Sequence, residues 1–156
     1  MIQSYFTNMV DFKNIYNQDE FLNNNPRQAC LSIITTPREV FELNENWMFS
    51  KQVMFEDTDN VEHPRALTHE MAYDIVKFLM EVNQADVECL TVHCFAGISR
   101  SRAVVLFFKE VIRESAVEDL TRTPFVTHNR LVYSRLVKAY RRILDEEEEQ
   151  TSVGKG

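Results

Sequence analysis

Short apolar segments alternate with longer helical ones along this chain, and that alternation limits the folds open to it. Residues 29–35, 52–55 and 89–93 are short, apolar and bounded by polar or turn residues, which predicts three strands. Apolar residues at helical spacing predict helices between the second and third strands, at 103–112, and from about residue 129. This order is typical of a parallel sheet covered by helices. We therefore predict an α/β fold, a single domain with a mostly parallel central sheet of four to five strands flanked by helices.

The length and composition agree with one domain spanning residues 1–156. The chain is 44% hydrophobic and 26% charged, which is ordinary for a globular protein of this size. Thr68 is the predicted N-cap of the first long helix. The last helix runs into an acidic stretch, Asp145 to Glu149. Because negative charge at a helix C-terminus opposes the helix dipole, we expect 145–156 to form an acidic, frayed tail.

Charge and cysteine content exclude several classes of protein. The formal net charge of −7 argues against general affinity for nucleic acid or anionic membrane, so neither is an expected partner. No apolar run approaches the ~20 residues of a membrane span, and residues 1–10 lack the pattern of a secretion signal. The three cysteines, Cys30, Cys89 and Cys94, form no disulfide framework, which favours a reducing, cytoplasmic setting. The oligomeric state stays open.

The third predicted strand leads into a loop with the composition of an anion-binding site. The loop reads His93-Cys94-Phe95-Ala96-Gly97-Ile98-Ser99-Arg100-Ser101 and is followed by a helix. In parallel sheets ligands bind beyond the carboxyl ends of the strands, where loop N–H groups and a helix N-terminus attract anions. Gly97 permits backbone conformations that a side chain would oppose. The residues expected to hold a phosphate are Phe95, Ala96, Gly97, Ile98, Ser99 and Arg100.

Three side chains of this loop carry the expected chemistry. Arg100 can place a fork of donors on two phosphate oxygens. Cys94, in this positive field, is expected to have a depressed pKa and to be a thiolate near neutral pH. His93 is expected to order the loop by hydrogen bonding. A nucleophile beneath a bound oxyanion, with an arginine clamp, is the equipment for phosphoryl transfer through a covalent intermediate.

This segment resembles the His-Cys-x5-Arg-Ser/Thr signature of the protein tyrosine phosphatase superfamily, and its Ala96-Gly97 and Arg100-Ser101 pairs resemble the dual-specificity branch. The resemblance implies a tyrosine phosphatase-like fold with Cys94 as nucleophile and Arg100 as the phosphate-binding arginine. It also implies that Ser101 donates a hydrogen bond to the Cys94 sulfur when the phosphocysteine is hydrolysed. It implies no metal and no cofactor. The resemblance covers about residues 29–144, whereas the first 25 residues show no match.

The same resemblance implies an upstream aspartic acid that protonates the leaving oxygen. Phe55-Glu56-Asp57 ends the second predicted strand and resembles the Phe-x-Asp element of dual-specificity and lipid phosphatases. Asp57 is therefore the candidate general acid, a task suited to a carboxyl group near its pKa. Asp59 is the rival candidate, and both residues have the alternative role of turn formers.

Downstream, residues 129–136 stand where dual-specificity phosphatases often have Asn-x-Gly-Phe-x-x-Gln-Leu. Asn129 and Leu136 match this pattern, and the Gly, Phe and Gln positions do not. Asn129 is a candidate support that holds the phosphate loop rigid. Its alternative role is that of a helix N-cap, and the two roles are compatible.

The resemblance implies a phosphomonoesterase acting on phosphotyrosine, with phosphoserine and phosphothreonine as further substrates, so the expected partner is a phosphorylated protein or peptide. An RNA 5′-phosphatase is one alternative, disfavoured by the acidic chain. A phosphoinositide phosphatase is another, although this loop lacks the lysines typical of those relatives. A non-catalytic phosphate-binding module is the third, although Cys94, Arg100 and Asp57 are all present. Cys30 and Cys89 are either small buried hydrophobes or thiols that trap oxidised Cys94.

Overall fold

The structure of this protein is a computed structural model that describes residues 2–114 and 128–154, with side chains up to residue 151. In these ranges the chain forms one central sheet with helices on both faces. None of the helices described is both long enough and apolar enough to span a membrane.

The sheet has four parallel strands within the described residues. They are β1 (Gln3–Asn8), β2 (Gln28–Ile34), β3 (Phe49–Met54) and β4 (Cys89–Cys94), in the spatial order β1-β4-β2-β3. The predicted parallel α/β fold is confirmed, and the three predicted strands correspond to β2, β3 and β4. Strand β1 was not predicted from the sequence, and it pairs along the outer edge of β4.

The helical segments account for most of the remaining described chain. The longest, α5, corresponds to the predicted last helix, and short segments of π and 3₁₀ geometry extend or connect the others. The α-helices are α1 (Met9–Asp11), α2 (Asp19–Asn24), α3 (His69–Gln84), α4 (Arg100–Phe107) and α5 (Arg130–Gly154). The π segments are Phe12–Tyr16 and Phe108–Ile112, and the 3₁₀ segment is Pro37–Glu39.

The helix predicted at 103–112 is the centre of the fold. All eight residues of α4 are buried, and the π segment Phe108–Ile112 continues the helical path. Helix α4 packs between the sheet and α5, so it has no solvent-facing side, as its nearly continuous apolar sequence indicated. Helix α3 begins at the predicted cap, where Thr68 Oγ1 accepts from Met71 N at 3.1 Å.

The sheet is covered on both faces, which is why its central strand β2 is mostly apolar. Every residue of β2 is buried. One face of the sheet packs on α3, α4 and α5 around the main core. The other face packs on a smaller cluster that includes Phe12, Cys30 and Trp47. Because successive strand residues point to opposite faces, a central parallel strand covered on both sides has no polar face.

The acidic segment predicted as a frayed tail is helical as far as residue 154. Glu146 accepts hydrogen bonds from the Tyr73 hydroxyl at 2.7 Å and from Arg142 Nε at 2.9 Å. Tyr73 belongs to α3, so its bond attaches the acidic end of α5 to the rest of the fold, whereas Arg142 lies one turn before Glu146 in α5 itself. Favourable partners of this kind offset the unfavourable interaction of Glu146 with the helix dipole. The last two residues of the predicted tail, 155 and 156, lie outside the described residues.

Candidate active site

The phosphate-loop motif lies at the carboxyl edge of the sheet, between two buried elements. Cys94 is the last residue of β4, and Arg100 is the first residue of α4. Both side chains are almost completely buried, with 2% and 4% exposed. The connecting segment 95–99 therefore passes from a central strand directly into the central helix, which fixes both of its ends.

The loop rests on the end of β1, a contact that the sequence did not predict. Met9 N donates to Phe95 O at 3.1 Å. Gly97 has a φ of +71°, a left-handed conformation that favours glycine. A Cβ at Gly97 would lie 2.6 Å from the backbone atoms Asn8 N and Thr7 C. Both the conformation and the close approach therefore require glycine here.

The environment of Cys94 lowers the pKa of its thiol. Burial acts in the opposite direction and would raise the pKa, because a thiolate is poorly solvated in the interior. Hydrogen bonds from the Ser101 hydroxyl and from the backbone N–H groups of Ser101 and Gly97, together with the charge of Arg100, outweigh burial. Ser101 Oγ lies 3.1 Å from Cys94 Sγ. The site thus favours a thiolate, the nucleophilic form of cysteine.

The Arg100 guanidinium is anchored at one end. Its Nη1 donates to Phe55 O at 2.7 Å and to Thr35 Oγ1 at 2.8 Å. Its Nε is buried and has no hydrogen-bond partner among the described residues. A buried N–H of a charged group is costly to leave unpaired, so Arg100 presents a donor suited to an oxyanion. The sequence did not single out Thr35, although it follows the end of β2 at this edge of the sheet.

Asp57 lies across the loop and is held there by two hydrogen bonds. Its Oδ1 accepts from Ser99 Oγ at 3.0 Å and from Asn129 Nδ2 at 2.7 Å. Both bonds use the same oxygen, so neither donor occupies Oδ2. The Asp57 side chain is exposed. It is therefore both attached to the phosphate loop and accessible to a molecule bound there.

Asp59 does not reach the loop in this way. It is exposed, and its side chain makes no hydrogen bond to residues 93–101 among the described contacts. Asp57 and Asp59 both lie in a polar depression of about 480 Å³ beside the loop, which Asn129 and Arg130 also line. Of the two aspartates, only Asp57 has a described hydrogen bond to the loop, which it accepts from Ser99.

Asn129 joins three parts of the site. Its Oδ1 caps α5 by accepting from Val132 N at 3.0 Å. Its backbone N donates to Ser99 O at 3.1 Å, and its Nδ2 donates to Thr58 O at 3.1 Å as well as to Asp57. The predicted N-cap is thus made by the Asn129 side chain, whereas the direct bond from Asn129 to the loop is made by its backbone N–H.

His93 lies beneath the loop, on the face of the sheet opposite Cys94. It is fully buried and stacks on Phe12 with a centroid separation of 4.3 Å. Burial lowers the pKa of its imidazole to about 4, and the charges of Arg100 and Lys13 act in the same direction. The hydrogen bond to the Cys94 carbonyl acts against them. His93 is therefore neutral near pH 7.

Cys30 and Cys89 lie on the sheet face opposite Cys94. Cys30 is paired with Thr91, three residues before Cys94, and it belongs to the smaller apolar cluster. Cys89 is five residues before Cys94 on β4, roughly 17 Å away at ~3.3 Å per residue. A disulfide needs Cα atoms within about 7 Å, so neither thiol can reach Cys94 while the sheet is intact. Burial raises the pKa of Cys30, consistent with a small buried hydrophobe.

Two of the other loop residues combine an apolar side chain with high exposure. Phe95 and Ile98 are large apolar residues, yet 63% and 49% of them are exposed. In the ranges 2–114 and 128–154, no three His, Cys, Asp or Glu side chains are grouped as potential metal ligands.

No family model and no curated protein matches the sequence, but solved structures match the fold. The crystal structure of DUSP15 is similar with a TM-score of 0.59 and 22% identity, covering 92% of this chain and 90% of that one. Human DUSP28 is similar with a TM-score of 0.60 and 15% identity, covering 92% and 94%. The human tyrosine phosphatase-like serine/threonine/tyrosine-interacting protein is similar with a TM-score of 0.59 and 15% identity, covering 90% and 93%.

The fold is therefore that of the dual-specificity phosphatases, as the resemblance of the loop implied. At these levels of identity the likeness concerns the fold. The chemistry of this chain has to be argued from its own residues.

Proposed function

We propose that this protein is a cysteine-dependent phosphomonoesterase of the dual-specificity type, acting on phosphotyrosine and on phosphoserine or phosphothreonine in proteins. The observation that carries the proposal is the environment of Cys94. The pKa of its thiol is lowered, in part by the positive charge of Arg100. Its Sγ lies 3.1 Å from Ser101 Oγ. A thiolate reactive enough for this role is best maintained in a reducing compartment, so we further propose a cytoplasmic location.

In the first step the Cys94 thiolate attacks phosphorus, and the S–P bond forms as the bond from phosphorus to the leaving oxygen breaks. The loop N–H groups and Arg100 bind the three non-bridging oxygens, where negative charge is stabilised. Asp57 transfers its proton to the leaving oxygen. The first product is the alcohol or phenol, and phosphocysteine remains.

In the second step water attacks phosphorus and the S–P bond breaks. Asp57, now a carboxylate, takes a proton from the water, and inorganic phosphate is released. The Ser101 hydroxyl donates a hydrogen bond to the departing Cys94 sulfur, which regenerates the thiolate. The 3.1 Å separation of these two atoms supports that role.

The assignment of Asp57 rather than Asp59 as general acid rests on its attachment to the loop. Ser99 and Asn129 hold Asp57 Oδ1, and the position of a proton donor must be fixed to within a fraction of an ångström for efficient transfer. Asp59 has no comparable contact with the loop. The second oxygen of Asp57 is the proposed proton carrier.

Substitution of Cys94 tests the proposal with p-nitrophenyl phosphate as substrate. Cys94→Ser should abolish turnover while retaining affinity for a phosphotyrosine peptide, because the loop donors and Arg100 remain. Cys30→Ser is the matched control, since Cys30 is buried on the other sheet face, and it should hydrolyse the substrate at the wild-type rate. Turnover that persists in Cys94→Ser would refute the proposal. Peptide binding without turnover in the wild type would favour the non-catalytic module.

Substitutions of the two aspartates test the general acid. Asp57→Asn keeps an oxygen that can accept from Ser99 and Asn129 but removes the transferable proton. We expect kcat to fall by roughly 10² to 10⁴, and the fall of the rate at high pH to disappear. Asp59→Asn is the control and should stay near wild type. The reverse pattern would assign the acid to Asp59.

A substrate panel then tests the class of phosphate ester. Phosphotyrosine and phosphoserine peptides, a phosphoinositide and 5′-phosphorylated RNA should be compared at one pH and ionic strength. We expect the highest kcat/KM for the peptides. A clear preference for RNA or phosphoinositide would retain the chemistry and overturn the proposed substrate class.

A further inference from the structure

Three polar side chains form a row across the sheet beneath the phosphate loop. Ser32 of β2 is paired in register with Gln52 of β3 on one side and with His93 of β4 on the other. Gln52 Nε2 lies 3.1 Å from Ser32 Oγ, and Ser32 Oγ lies 2.6 Å from His93 Nε2. His93 Nδ1 lies 3.4 Å from Cys94 O. The row thus connects an edge strand to the backbone of the candidate nucleophile.

The direction of hydrogen bonding along this row is set at Gln52. Its Nε2 also donates to the backbone carbonyl Phe41 O at 3.2 Å. A carbonyl only accepts, so the amide group must direct its NH₂ towards Phe41 and Ser32. The alternative orientation would place two acceptor oxygens face to face. Gln52 is therefore a donor to Ser32.

The direction then passes through Ser32 to His93. A hydroxyl that accepts from Gln52 has its single proton available for another acceptor, and His93 Nε2 is at hydrogen-bond distance. If Nε2 accepts, the neutral imidazole carries its proton on Nδ1. That proton faces the Cys94 carbonyl, the second fixed acceptor of the row. The two backbone carbonyls, Phe41 O and Cys94 O, therefore require the same direction of hydrogen-bond donation along the row, from Gln52 through Ser32 to His93.

The surroundings of His93 maintain the neutral ring that this arrangement needs. Phe12 stacks on the imidazole at 4.3 Å, and Phe41 lies at 5.6 Å. Three charged groups act on the imidazole: Arg100 and Lys13 oppose its protonation, and Glu39 favours it. The balance keeps His93 neutral near pH 7, so its tautomer is decided by its hydrogen bonds.

The Cys94 carbonyl matters because it shares a peptide unit with Phe95 N–H. The peptide unit is planar and trans, so its carbonyl and N–H point in opposite directions. Holding Cys94 O towards His93 therefore also fixes the orientation of Phe95 N–H, the first N–H of the phosphate loop. A change of the His93 tautomer would release both groups.

We propose that Ser32 and Gln52 are positioning residues that hold His93 as its Nδ1–H tautomer and thereby hold the first peptide unit of the phosphate loop in place. The structural part rests on the hydrogen-bond row alone. The kinetic part rests on the proposed phosphatase function. The sequence contains a small sign of the row, because Ser32 is a polar residue in the otherwise apolar segment 30–34.

The test uses two variants that interrupt the row and one that does not. Ser32→Ala removes the hydroxyl with little change of volume, and Gln52→Met removes the donor but keeps a similar length. Ser32→Thr retains a hydroxyl and is the conservative variant. Ser50→Ala is the matched control, because Ser50 is an exposed serine on β3 outside the row.

The direct readout is the tautomer of His93, measured from long-range ¹H–¹⁵N correlations of the imidazole with His93→Phe used for assignment. Wild type and Ser50→Ala should give the Nδ1–H form. Ser32→Ala and Gln52→Met should each give a detectable Nε2–H population, because nothing then obliges Nε2 to accept. Ser32→Thr should restore the wild-type pattern.

Two further readouts distinguish positioning from simple stabilisation. The pH midpoint for alkylation of Cys94 by iodoacetate, followed on the Cys94 peptide by mass spectrometry, should rise by roughly half to one pH unit in Ser32→Ala. Turnover of p-nitrophenyl phosphate by Ser32→Ala should fall roughly three- to tenfold in kcat with a smaller change in KM, as expected for one lost buried hydrogen bond. Ser32→Thr should recover both.

The outcomes separate this proposal from the proposed function. Unchanged tautomer and unchanged alkylation midpoint in Ser32→Ala and Gln52→Met would overturn the positioning role, even if thermal stability fell. If the His93 tautomer and the Cys94 alkylation midpoint shift in these variants but the wild type hydrolyses no phosphate ester, the positioning role is supported and the proposed phosphatase function is refuted. If Ser32→Ala does not fold, the His93 tautomer measured in Gln52→Met decides whether the positioning role holds.

Discussion

The buried His93 makes a specific prediction about stability in acid. Burial lowers the pKa of its imidazole from 6.5 to about 4 in the folded protein, whereas the unfolded chain has the ordinary value. Between these pH values the unfolded state binds a proton that the folded state does not, so stability falls as pH falls. The full contribution is present above pH 6.5 and is lost by about pH 4. At 1.36 kcal/mol per pKa unit, the loss is about 3 kcal/mol.

His93→Phe isolates this contribution because it removes the ionisable group and keeps a ring to stack on Phe12. Its lost hydrogen bonds add a penalty that does not depend on pH. Trp47, the single tryptophan, stacks on Phe12 at 5.7 Å and reports unfolding in urea by fluorescence. Between pH 6.5 and 4, the free energy of unfolding of wild type should fall by about 3 kcal/mol more than that of the variant. Parallel curves, within about 0.5 kcal/mol, would mean that His93 is not held neutral, and the reasoning about its burial would be wrong.

Two further predictions concern the loop and the other cysteines. Gly97→Ala should lower kcat/KM by at least roughly tenfold, because a left-handed alanine costs about 1–2 kcal/mol and its Cβ would lie 2.6 Å from the backbone of Thr7 and Asn8. A fully active Gly97→Ala would contradict the close approach. Cys30→Ser and Cys89→Ser should match wild type in peroxide inactivation and in recovery with thiol, because both residues lie on the other face of the sheet; a Cys94 disulfide found by mass spectrometry would show otherwise.

The central part of the fold was predictable because its elements carry a local signal. Strand β4, the loop and α4 are adjacent in sequence, and an apolar strand followed by an apolar helix admits few other structures. Strand β1 had no such signal. Its sequence Gln-Ser-Tyr-Phe-Thr-Asn is mostly polar and it lies at the edge of the sheet, where Ser4 alone is buried. An edge strand with so little buried surface is recognised only through its pairing with β4.

The residues of the candidate site also divide into those with a local sequence signal and those without one. Cys94, Arg100 and Ser101 could be predicted because the loop motif is contiguous, and Asp57 because a short element upstream resembles a known one. Thr35, Ser32 and Gln52 could not. Their contacts depend on which residues are paired between strands, and strand register is not encoded at any single position.

Contacts with other parts of the chain also give the motif its shape. Gly97 requires a left-handed conformation because the loop lies directly against Thr7 and Asn8, and Met9 N holds Phe95 O. On the opposite side Asn129 joins Ser99 to the Asp57 segment, and from below His93 contacts the Cys94 carbonyl. Supports from β1, α5 and the β2–β3 row thus converge on nine consecutive residues. It follows that a chain could keep the whole His-Cys-x5-Arg-Ser motif and lose its chemistry through a change at Asn8, Ser32 or Asn129, so the motif alone is a weaker indication of catalysis than the motif together with these contacts.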